Sequence, residues 1–122
     1  MNTPALVLIA HGSRHPEAND DLHHFVAELR RHGEYEIVEP AFLEFAEPDI
    51  DVAAERCVRA GAEEVILLPY FLSAGVHVRR DLSEAQRRLA ERFSEVIFRL
   101  AEPLGRHPQL LDVVLARARA AK

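Results

Sequence analysis

The sequence predicts an α/β fold: a parallel four-stranded sheet with helices on both faces. Two observations carry this expectation. The chain contains four short apolar runs, and each is followed by a segment whose apolar residues recur at helical spacing. Continuous aliphatic runs suit strands covered on both faces, as in parallel sheets. A β-α-β-α-β-α-β-α order implies right-handed crossovers with helices on either side of the sheet. The 122 residues fit one domain, and no linker or low-complexity segment divides them, so 1–122 reads as a single domain.

The first run, Ala5 to Ala10, is wholly aliphatic. Leu22, Phe25, Val26 and Leu29 then fall at i, i+3, i+4, i+7, and Gly33 supplies the stop. Tyr35 to Leu43 is the second strand. Pro40 within it lacks an N–H, which places that strand at an edge or near a break. Ile50, Ala53, Ala54, Cys57 and Val58 form the second helical stripe, opened by Pro48-Asp49 and closed by Gly61. Val65 to Leu68 is the third strand. Leu82, Ala85, Leu89 and Phe93 are the third stripe, and Val96 to Phe98 the fourth strand. After Pro108, the residues Leu111, Val114, Leu115 and Ala118 make the last stripe.

Composition narrows the function classes. Apolar residues make up 48% and charged residues 29%, the balance of a soluble globular protein. A net charge of −5 with no basic stripe argues against nucleic acid as a partner. The longest apolar runs fall far short of the roughly 20 residues a membrane-spanning helix needs. With no charged-then-apolar leader, no membrane role and a cytoplasmic location are the expectations. The lone cysteine, Cys57, allows no internal disulfide and no cysteine cage for a metal; it reads as a small buried hydrophobe.

In open parallel sheets, ligands bind beyond the carboxyl ends of the strands. His11-Gly12-Ser13-Arg14-His15 follows the first strand, and Glu44 and Glu47 follow the second. Pro69 to His77 follows the third, and Glu102 to Gly105 the fourth. The four loops should share one rim. Two imidazoles there, His11 and His77, can hold a borderline divalent ion while leaving coordination positions open, which suits an ion passed onward. Glu44 or Glu47 could accept a proton or supply an oxygen ligand. Ser73, Ala74 and Gly75, in the loop with His77, allow close approach of a large flat ligand, and Gly12 allows a ligand near the backbone. Arg14, Arg79 and Arg80 flank the histidines near helix starts and make the rim receptive to anions. His23, His24, His32 and His107 read as structural or surface residues; His15 lies near the rim without an assigned role.

These loops resemble a known family. Leu8 to Arg14, Ala41 to Glu44, Leu67 to Asp81 and Pro103 to Pro108 match, in order, the small sirohydrochlorin chelatases, the short CbiX-type members of the class II chelatases. The resemblance implies a flavodoxin-like chelatase unit, one half of a two-half architecture, that pairs as a homodimer. It implies an enzyme of the lyase class that inserts a divalent metal into sirohydrochlorin, in cobalamin or sirohaem biosynthesis. Co2+ is favoured, with Fe2+ or Ni2+ as alternatives; the ion is a substrate, and no tightly bound cofactor is expected. By the same resemblance, His11 and His77 bind the metal, and His11 is also the base. Glu44, Glu47 and the segment Leu72, Ser73, Ala74, Gly75, Val76 lie against the macrocycle.

The chemistry is coherent. An open tetrapyrrole loses two N–H protons as the ion enters, so a base and a metal donor are both needed. One nitrogen cannot hold metal and proton together, so His11 acts sequentially or shares the work with Glu44. The substrate's carboxylates suit Arg14, Arg79 and Arg80. A non-enzymatic divalent-metal carrier is the alternative, although it would not need the small-residue loop. A histidine-phosphatase-like site would want arginine before the histidine, where Ala10 stands.

Overall fold

A computed structural model of the chain describes residues 3–122. Met1 and Asn2, included in the single-domain reading, lie outside them. The order is β1 (Pro4–Ala10), α1 (Pro16–His32), β2 (Ile37–Phe42), α2 (Ile50–Arg59), β3 (Glu64–Pro69), α3 (Val76–Arg92), β4 (Ile97–Leu100) and α4 (Gln109–Ala120). All pairings are parallel, and the strands lie in the order β2-β1-β3-β4. The β2 strand is therefore an edge, where Pro40 is tolerated because only one side needs a pairing N–H.

Local chemistry sets the helix ends. Gly33 takes φ 88° at the end of α1, a left-handed residue whose N–H bonds the Leu29 carbonyl. At the start of α2, the Asp49 carboxylate accepts from the Val52 N–H at 2.9 Å. The α3 helix starts earlier than the loop reading placed it: Val76 and His77 already belong to its first turn. No helix is long and apolar enough to cross a membrane among the described residues.

The core has two layers. On one side of the sheet, Val7, Ile9, Val65, Leu67 and Phe98 pack against α2 and α3, through Ala53, Ala54, Cys57, Leu82, Ala85 and Leu89. On the other, Leu6, Leu8, Val38 and Phe42 pack against Leu22 and Val26 of α1. Each fully buried Leu, Ile, Val or Phe side chain contributes about 1.5–3 kcal/mol. The second layer stops short. Only α1 covers that side, so Ile66 and Leu68 are half-buried and Ile97 is exposed. Cover on both faces therefore holds for β1 but not for β3 and β4. The physical reason is that no residue of α4 is buried, so its stripe is not part of the core.

The register brings the carboxyl ends of the strands level. Ala10 is opposite Phe42, Ile9 is opposite Pro69, and Leu67 is opposite Leu100. After β1 the chain turns to α1 on one face; the crossovers around β3 run through α2 and α3 on the other. The switch lies between β1 and β3, where such folds open a crevice.

Candidate active site

His11 leaves β1 directly into that crevice, exposed at its edge. Its imidazole stacks on Phe71, which leaves β3 at the same level; the ring centroids are 4.4 Å apart and the planes 29° apart. Its backbone is also tied, because its carbonyl accepts from the Glu44 N–H at 3.0 Å, while the Ala10 carbonyl accepts from Leu43 N–H. This packing explains Gly12. Its φ is 94°, and a Cβ there would stand 1.8 Å from the Glu44 carbonyl oxygen. The close approach that requires glycine is thus made by the chain's own second loop, where the sequence had suggested a ligand.

The rest of the first loop is fixed by Asn19, which sequence reasoning passed over. Its amide oxygen accepts from Ser13 N–H and its amide nitrogen donates to the Ser13 carbonyl, both at 2.9 Å. Arg14 does not reach into the crevice as a bare cation. Its guanidinium sits 4.5 Å from the centroid of the Phe45 ring. Phe45 is half-exposed and has φ 65°, a conformation that non-glycine residues rarely adopt. Strain of this kind clusters at ligand-handling loops.

Beneath His11 is a cleft of about 420 Å3 between α2 and α3. Glu44 and Asp81 line it with Glu84, as do Asp51 and Arg88, which pair at 3.1 Å. Glu47 lies apart, exposed in the β2–α2 loop beside the cis Glu47–Pro48 peptide. His77 is exposed in the first turn of α3, on the same rim but outside the lining of this cleft.

A second cleft, of about 560 Å3, lies where the β3–α3 and β4–α4 loops meet, bordered by Leu72, Ser73, Arg79, Glu102, Gly105 and Arg106. Arg79 bridges the two loops: its Nε donates to the Ala74 carbonyl at 3.1 Å, and a terminal nitrogen lies 3.4 Å from Glu102. Gly105 lets the loops touch, since a Cβ there would stand 1.9 Å from the Leu72 carbonyl oxygen. Leu72 and Val76 are 63% and 72% exposed, an apolar shelf flanking Ser73, Ala74 and Gly75. Arg80 is exposed and makes no ion pair among the described residues.

The donor set is imidazole and carboxylate. Cys57 is buried on the core face of α2, and burial, with Glu39 adding, pushes its thiol from an ordinary 9.0 up to about 12, so no thiolate is at hand. Among the described residues, no three His, Cys, Asp or Glu side chains gather into a cage. Of the other histidines, His107 turns its Nδ1 to the Gln109 N–H at 3.2 Å, a structural cap. His23 packs beside Phe42, and His24 and His32 are exposed on α1.

Comparison with known proteins gives the family. A family model described as CbiX matches residues 5–121. The chain is 40% identical over 109 residues to the chloroplastic sirohydrochlorin ferrochelatase of Arabidopsis thaliana, covering 89% of this chain and 48% of that one. It is 33% identical over 116 residues to the sirohydrochlorin cobaltochelatase of Sulfolobus acidocaldarius, covering 95% and 90%. The chain thus spans about half the length of the first relative and nearly all of the second. Among solved structures, it superposes with a TM-score of 0.88 and 28% identity on the sirohydrochlorin chelatase SirB from Bacillus subtilis subspecies spizizenii in complex with cobalt, covering 98% of this chain and 51% of that one. On these matches, the chain belongs to the CbiX family.

Proposed function

We propose that this protein is a lyase-class chelatase that inserts a divalent metal ion into sirohydrochlorin. The observation that carries the reading is the placement of His11: an imidazole fixed by Phe71 at the switch point of the sheet, above a carboxylate-lined cleft, in a member of the CbiX family. His11 and His77 supply neutral nitrogen donors to the ion. Two such donors leave coordination positions open, so the ion can move on to a better ligand. The four inward nitrogens of the macrocycle are that ligand.

Insertion forms metal–nitrogen bonds and releases two protons from pyrrole nitrogens. The nitrogen of His11 that holds the ion takes no proton until the ion has left it. Glu44, which lines the cleft together with His11, takes the first proton, and His11 takes the second once the ion has left its nitrogen. The macrocycle lies on the shelf of Leu72, Ser73, Ala74, Gly75 and Val76, with Glu47 at its margin. Arg14, Arg79 and Arg80 meet its carboxylates, which the net charge of −5 would otherwise repel.

Cobalt is the preferred ion, which assigns the protein to cobalamin precursors; iron, for sirohaem, and nickel are the alternatives. Relatives named for cobalt insertion and relatives named for iron insertion both match this chain. The protein works as a cytoplasmic homodimer in which each chain is one unit of a two-unit architecture, without nucleic acid, membrane or a resident cofactor. The test is insertion into sirohydrochlorin with Co2+, Fe2+ and Ni2+ supplied separately, followed by visible absorption. A chelatase raises the rate above the protein-free reaction. A carrier would bind the ion and leave that rate unchanged.

A further inference from the structure

Arg106 stands in a backbone conformation that its side chain disfavours. Its φ is 66°, in the left-handed region where glycine is the usual occupant. The glycine next to it, Gly105, is used for something else: a Cβ there would stand 1.9 Å from the Leu72 carbonyl oxygen. The turn is held on both sides of the strained residue. Leu104 N–H donates to the Phe71 carbonyl at 3.0 Å, and His107 N–H donates to the Leu104 carbonyl at 3.3 Å. Arg106 is thereby fixed beside the β3–α3 loop. Strain of this kind persists where the surroundings over-determine it, and it clusters at ligand clamps.

The cleft that Arg106 borders has a charge left over. Two guanidinium groups, Arg79 and Arg106, and one carboxylate, Glu102, line the 560 Å3 between the loops. Arg79 is already engaged, with the Ala74 carbonyl and with Glu102. Arg106 is exposed and makes no ion pair among the described residues. Pairing Glu102 with Arg79 leaves one net positive charge, the complement of a single carboxylate. Leu72 and Pro103 supply apolar wall beside it.

We propose that this cleft is the subsite for one acidic side arm of the macrocycle, with Arg106 as the residue that holds the arm's carboxylate. This rests on the chelatase reading given above and adds a place for one arm. Leu72 and Ser73 belong both to the shelf and to the cleft, so a ring lying on the shelf puts a side arm at the cleft mouth. The carbon chain of the arm lies along Leu72 and Pro103. Its two oxygens accept parallel N–H bonds from the planar fork of Arg106. A macrocycle whose arm lacks the carboxylate would leave that guanidinium unmatched, so the cleft selects for carboxylated tetrapyrroles.

The test is titration of metal-free sirohydrochlorin into the wild type, Arg106→Gln, Arg106→Gly and Arg87→Gln, read by the absorption of the macrocycle. Melting temperatures are taken on the same samples. Arg87 is exposed on α3 and lies outside the cleft, so Arg87→Gln controls for lost charge alone. Arg106→Gln and Arg106→Gly are each expected to raise the Kd about tenfold or more, the scale of a lost hydrogen bond to a charged group. Their KM for insertion should rise to match while kcat is spared. Arg87→Gln should bind as the wild type does. Arg106→Gly is also expected to raise the melting temperature by a few degrees, because glycine adopts φ 66° without strain. An Arg106→Gly variant that is more stable and binds as tightly as the wild type overturns the subsite and leaves the chelatase reading standing. An equal loss of binding in Arg87→Gln reduces the effect to overall charge and overturns it as well. A wild type that neither binds nor metallates sirohydrochlorin overturns both readings.

Discussion

His11 and Phe71 come from adjacent strands and stack with centroids 4.4 Å apart. The stack favours one orientation of the imidazole at the mouth of the crevice, so Phe71 is expected to act as a positioning residue for His11. An aromatic pair is worth about 0.5–1.5 kcal/mol beyond the area it buries. Phe71→Leu, which keeps apolar volume but loses the ring, is expected to lower kcat by about two- to tenfold with KM nearly unchanged. Phe71→Tyr is expected to retain the rate. Equal losses in Phe71→Leu and Phe71→Tyr, tracking melting temperature, would reduce Phe71 to packing alone.

Gly12 couples the first and second loops through the Glu44 carbonyl. Gly12→Ala places a side chain at φ 94° and against that oxygen, a strain of about 1–2 kcal/mol before the clash is counted. The melting temperature is expected to fall by on the order of 10 °C. Insertion should fall further than stability explains, since the same contact sets Glu44 beside His11. A variant with wild-type melting temperature would refute the close approach.

Arg79 and Arg80 differ in what holds them. Arg80 has no partner among the described residues, so Arg80→Gln is expected to raise KM and spare kcat, the mark of lost uniform binding. The effect should shrink with salt, because exposed charges are screened within about 8–10 Å. Arg79 also ties Ala74 to Glu102, so Arg79→Gln should lower kcat as well as raise KM. Its ion pair is exposed and worth about 0–1 kcal/mol, so stability changes little. A lower melting temperature with KM unchanged would make Arg79 a structural tie only.

The alternation of elements was legible because each strand is a short aliphatic run and each helix a stripe closed by a recognisable end, Gly33 for α1 and Asp49 at the start of α2. His11, Glu44 and the Leu72 to Val76 shelf were legible because parallel topology sends every such loop to one rim. Phe71 was not, since an aromatic residue at the end of an apolar strand looks like core. Nor were Asn19 and Phe45, whose roles exist only once separate loops meet. The α4 stripe misled for a related reason: periodicity reveals that a helix has an apolar face, not what that face rests on.

The most direct test of the account is the rate of metal insertion into sirohydrochlorin by the wild type, His11→Ala and His77→Ala, with Co2+ and then with Fe2+. The wild type is expected to exceed the protein-free rate. Each variant is expected to lose about 100-fold or more in kcat/KM while unfolding cooperatively near the wild-type temperature, the scale on which a positioned base or donor acts. Wild-type turnover in both folded variants would contradict the central claim that these two imidazoles handle the metal.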